Sequence, residues 1–83
     1  MMLEGRISKL DIPNRRAVIE DAEGREIQVS FPERMNVEIS EPETMGNMGG
    51  ELEDLEVGFL VEYEVESEKE DGTQVCGSVV CIS

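Results

Sequence analysis

The stretch Asn14–Phe31, NRRAVIEDAEGREIQVSF, constrains the fold of this chain more than any other. Val18 and Ile19 are apolar, Asp21-Ala22-Glu23-Gly24 reads as a turn, and Ile27, Val29 and Phe31 alternate with Glu26, Gln28 and Ser30. Successive side chains of a strand point to opposite faces, so the second run is a strand that is apolar on one face only. Two such runs joined by a short acidic, glycine-containing turn make a hairpin. A chain organised around that hairpin is all-β.

Three more strands follow from the same reasoning. With about 16–20 and 25–31 taken by the hairpin, the others are expected at about 3–10, 59–67 and 74–82. In the 59–67 run Phe59, Val61, Tyr63 and Val65 fall on one face and Glu62, Glu64 and Glu66 on the other, and Glu68–Gly72 supplies a charged turn after it. No segment keeps helical periodicity for three turns. Residues 32–58 are expected as a long loop between strands 3 and 4. Within it Asn36–Ser40 has the composition for an additional short strand, and Glu41–Gly50 has little support for strand or helix. Met45 and Met48 either fold back over a barrel end or offer adaptable apolar contact to a partner. Leu52 and Leu55 are expected to cap the barrel from a short turn. Short strands, hairpin turns and too few residues for two sheets argue for one closed barrel, which also hides its sheet edges.

Eighty-three residues make one domain, and 39% hydrophobic content can fill a single core. Histidine is absent, which removes Ser-His-Asp and Cys-His nucleophile systems and the usual zinc patterns. The expectation is a non-enzymatic protein without cofactor or metal. Cys76 and Cys81 on one regular strand would stand roughly 16 Å apart on opposite faces. A disulfide needs Cα atoms within about 7 Å, so free thiols in a reducing compartment are expected. The first residues lack the apolar stretch of a secretory signal, and no run is long enough to span a bilayer, so a cytoplasmic location without membrane contact is expected.

Charge divides the chain unevenly. Residues 1–34 hold six basic residues against seven acids, whereas residues 35–83 hold only Lys69 against thirteen, for a formal net charge of −13. This asymmetry implies an acidic surface with a separate, near-neutral or locally basic one. The acid excess has three readings: a solvated surface that maintains solubility, adaptation to high salt, or a face that docks on a basic partner or imitates nucleic acid.

The pattern Leu3-Glu4-Gly5-x-Ile7, then Val18-Ile19-x-Asp21, Gly24, Ile27-x-Val29-x-Phe31, Val57-Gly58-x-x-Val61-x-Tyr63-x-Val65 and Val79 resembles a cold-shock domain. The resemblance covers residues 3–31 and 55–82. It implies a five-stranded OB-like barrel, of the oligonucleotide/oligosaccharide-binding type, that binds single-stranded RNA or DNA. Initiation-factor and S1-type domains share that architecture but usually carry a basic surface this chain lacks.

The family's binding positions are mostly replaced. Its first-strand tryptophan falls on Lys9 and the following phenylalanine on Leu10. The motif Lys-Gly-Phe-Gly-Phe-Ile falls on Asn14–Ile19, so its two exposed phenylalanines become Arg16 and Val18. The motif Val-Phe-Val-His-Phe falls on Ile27–Phe31, where Gln28 and Ser30 replace the stacking Phe and His and only Phe31 keeps its ring. Stacking of a base on an aromatic side chain is worth about 1–3 kcal/mol, so losing four or five rings forfeits several kcal/mol. Lys9, Arg15 and Arg16 can return part of this through phosphate contacts and guanidinium stacking, or Arg15 and Arg16 simply pair with neighbouring Glu. The candidate face is therefore Lys9, Arg15, Arg16, Val18, Gln28, Ser30 and Phe31. The expected function is binding of a protein partner, of basic character, by a monomer or weak dimer. The alternative is weak, salt-sensitive binding of single-stranded RNA or DNA.

Overall fold

In a computed structural model, which describes residues 2–41, 43 and 46–82, the sheet contains seven strands. They are β1 (Met2–Asp11), β2 (Arg16–Glu20), β3 (Glu26–Ser30), β4 (Asn36–Glu41), β5 (Gly46–Gly49), β6 (Leu60–Glu68) and β7 (Gln74–Cys81). The five strands expected from the sequence are all present, with ends displaced by a residue or so. Antiparallel pairing joins β3 to β2, β2 to β1, β1 to β6 and β6 to β7. Parallel pairing of Val29 with Gln74 and Ser30 with Val75 then returns β7 to β3 and closes the ring. This is a small OB-like barrel of five strands, with β4 and β5 added outside it.

Its interior is filled by the residues that the alternation places inward. Ile7, Ala17, Ile19, Val29, Phe31, Val61, Tyr63 and Val79 are buried in one cluster. Leu52 and Leu55 join that cluster from a single 3-10 turn, Leu52–Asp54, in which the Glu51 N–H donates to the Asp54 carboxylate at 2.8 Å. The expected leucine cap is thus in place.

Bulges adjust which residues face inward. Ile7 and Leu10 both pack toward the core although three residues apart, which a regular two-residue repeat forbids. The extra residue is Ser8, where the pairing of β1 with β2 slips and the Ser8 hydroxyl donates to the Val18 carbonyl at 3.2 Å. Glu66 and Gly77 do the same between β6 and β7. The bulge at Gly77 changes the phase of β7, so Cys76 and Cys81 are both buried rather than on opposite faces. Burial pushes the pKa of the Cys76 thiol up to about 12.

The segment 32–58 departs furthest from a plain loop. β4 pairs in parallel with the outer edge of β7, from Asn36 opposite Ser78 to Ile39 opposite Cys81. β5 then pairs antiparallel with β4, so Gly46–Gly49 is a strand despite its composition. Main-chain groups need partners whatever the side chains prefer, and the free edge of β7 offers them. Met48 does not cover the barrel end, being half exposed on β5, and Met45 lies outside the described residues.

Candidate binding face

Most of the residues expected to form a binding face do come together, around the β1–β2 turn. Lys9, Asp11, Arg16, Val18 and Gln28 line a shallow groove of about 250 Å³. Arg16 is also a wall of a neighbouring groove of about 330 Å³, shared with Arg15, Ser30, Glu33 and Lys69. The two grooves run side by side across β1, β2 and β3 and reach the turn between β6 and β7.

Lys69 was not among the candidates. It is the only basic residue of the acidic half of the chain, and sequence distance separates it from Arg16 by most of the barrel. Parallel closure of β3 on β7 brings the β6–β7 turn beside the β1–β2 turn, which sets Lys69 against the same groove. In OB barrels those two loops flank the ligand face, so the fold class itself was the available signal.

The four cations at this site are held differently. Arg15 has a left-handed backbone, φ 54°, and its guanidinium donates through Nε to the Phe31 carbonyl and through NH2 to the Pro32 carbonyl, both at 2.7 Å. It therefore does not pair with a glutamate, and its charge is committed to the turn. Arg16, Lys9 and Lys69 are exposed and make no ion pair among the described residues. By contrast Arg25 is tied to Asp21 at 2.9 Å and lies 3.6 Å from Glu23. Asp71, beside Lys69, accepts from the Thr73 N–H at 2.9 Å, which with the Thr73 side chain holds its carboxyl below the ordinary range. It therefore keeps a negative charge near Lys69 and Arg16.

Two candidates are corrected. Phe31 is 3% exposed and belongs to the core, because the alternation of Ile27, Val29 and Phe31 puts its ring inside the barrel. Val18 alternates with the core residues Ala17 and Ile19, so it faces outward, yet it is buried between Lys9 and Gln28 on the flanking strands. Of the other aromatic residues, Tyr63 is buried and Phe59 is partly buried against the core. Burial also raises the Tyr63 hydroxyl above its usual range, and the neighbouring Cys76 and Asp21 add to this. No aromatic ring lies open on the outer surface of the barrel.

Elsewhere acids predominate on the surface, although the exposed Arg34 lines a groove with Glu64 and Glu66. Along β6, Glu64, Glu66 and Glu68 are exposed and Glu62 is partly so, while Glu4, Glu20 and Glu26 are exposed on β1, β2 and β3. No group of three or more Cys, Asp or Glu side chains suited to a metal ion occurs among the described residues. No helix among them is long and apolar enough to cross a membrane. Comparison with protein-family models, with curated proteins and with solved structures finds no match.

Proposed function

We propose that this chain is a non-enzymatic binding module of cold-shock-like framework that contacts a protein partner of basic character. The observation that carries this reading is the placement of the rings. Base-stacking platforms need exposed aromatic faces, and here Phe31 and Tyr63 are sealed inside the barrel. What the outer surface offers instead is carboxylate, above all Glu62, Glu64 and Glu66 on β6. Such a surface steers positively charged proteins and repels phosphate backbones. The buried thiols Cys76 and Cys81 suit a reducing, cytoplasmic setting. The test is affinity capture from the source cell with the wild-type chain and with a Glu62→Lys, Glu64→Lys, Glu66→Lys variant. Basic proteins retained by the first and lost by the second support the reading. Identical capture by both sinks it.

A second reading rests on the unpaired Lys9, Arg16 and Lys69. Three cations gathered on one flank of an otherwise acidic protein form a local site for a single-stranded phosphate backbone. Without stacking, that binding is weak and strongly weakened by salt.

A further inference from the structure

Closure hides the edges of the strands in the ring, but β5 ends the sheet on the far side of β4. Its residues Gly46-Asn47-Met48-Gly49 are all exposed. They include neither a charged residue nor a proline, the devices with which proteins blunt an open edge. Which main-chain groups face outward follows from one bond. The Gly50 N–H donates to the Val37 carbonyl at 2.9 Å, so these two form a bonded pair. Bonded and non-bonded pairs alternate along an antiparallel ladder. Met48 opposite Ile39 and Gly46 opposite Glu41 are therefore bonded to β4, whereas Asn47 opposite Ser40 and Gly49 opposite Glu38 are not. Asn47 and Gly49 turn their N–H and C=O groups to the open side, with the half-exposed Met48 between them.

Charge decides what fits there. Residues 35–58, which hold this hairpin and the 3-10 turn, carry seven acids and no lysine or arginine. A second copy would set the same acids against each other, on top of a net charge of −13 in each chain. Repulsion between like-charged chains therefore disfavours both a second copy and an acidic strand.

We propose that β5 receives an extended, basic segment of a partner protein by strand addition. The segment bonds through its main chain to Asn47 and Gly49, and its lysines or arginines meet acids that flank the edge, such as Glu38 and Glu51. This rests on the protein-partner reading and adds where, and by what chemistry, the partner docks. Main-chain pairing supplies the attachment and charge supplies the selection.

The test titrates 15N-labelled protein at low salt with a hexapeptide of alternating lysine and threonine, and with the matching glutamate–threonine peptide. Amide shifts are expected at Gly46–Gly49 with the lysine peptide only, fading as salt is raised. Slower hydrogen exchange is expected at Asn47 and Gly49. Asn47→Pro removes an outward donor but no bond to β4, and lowers affinity about tenfold or more. Asn47→Thr keeps the donor and keeps the affinity. Shifts confined to the β6 glutamates overturn the edge proposal and leave the protein-partner reading standing. No shift with either peptide also overturns the edge proposal, and affinity capture then judges the parent reading separately. Shifts at β5 that grow with protein concentration alone, together with doubled mass, make a second copy the occupant and overturn it too.

Discussion

Arg15 and Phe31 hold each other by two hydrogen bonds, one between main-chain groups and one from the Arg15 side chain. The Phe31 N–H donates to the Arg15 carbonyl at 2.8 Å, and the Arg15 Nε donates to the Phe31 carbonyl at 2.7 Å. A second guanidinium nitrogen reaches the Pro32 carbonyl at 2.7 Å. The β1–β2 turn is thereby pinned to the end of β3, beside the place where β3 meets β7. A left-handed residue other than glycine costs about 1–2 kcal/mol, and these bonds offset it.

Removing that clamp should cost stability before it costs any binding. Arg15→Ala is expected to lower the unfolding free energy by about 1–3 kcal/mol, since hydrogen bonds from a charged donor are lost and two carbonyls are left behind. Arg15→Lys keeps the charge but not the planar fork, and recovers only part. Urea unfolding followed by circular dichroism measures both. An unchanged midpoint for Arg15→Ala would show that the clamp contributes nothing.

Gly5 lies where β1 packs tightly against β2. A Cβ built there overlaps the Ile19 Cγ2 and comes within 2.7 Å of the Glu20 carbonyl oxygen. The oxygen belongs to the neighbouring ladder and cannot move alone, so Gly5→Ala is expected to cost about 1–3 kcal/mol. Gly49 on β5 has open space at the same position, and Gly49→Ala should stay within about 0.5 kcal/mol. Equal effects of the two substitutions in urea unfolding would contradict this.

These elements show what the sequence made legible. Side-chain alternation located the hairpin of β2 and β3, as well as β6, because each strand has one face in the core. Gly46–Gly49 has no such pattern, and its pairing is a main-chain event made available by β4, so periodicity could not find it. The thiols of β7 were misplaced because the bulge at Gly77 shifts the strand by one residue. Phe31 is the most instructive residue. Alternation put it inside and the family resemblance put it on the surface, and the structure follows the alternation. Lys69 was hidden because only barrel closure brings its turn to Arg16.

Burial of Cys76 has a consequence at alkaline pH. The unfolded thiol ionises near 9.0, while in the folded barrel burial keeps it neutral up to about 12. A folded value raised above the unfolded one gives stability that is fully present below pH 9 and lost as the pH climbs toward 12. The raised Tyr63 hydroxyl acts in the same direction above pH 10. Cys76→Ala should therefore flatten the decline in stability above pH 9, although it lowers stability at neutral pH by leaving a small cavity. The same alkaline slope in both proteins would contradict the assignment.

The outer face of β1, β2 and β3 offers no stacking platform, and on that ground we propose that it does not read bases. Titration of labelled single-stranded RNA and DNA oligomers at low salt tests this most directly. The expected result is no saturable binding up to high micromolar protein. Saturable binding that weakens with salt and disappears in Arg16→Glu would contradict it, and would make the unpaired cations the functional site.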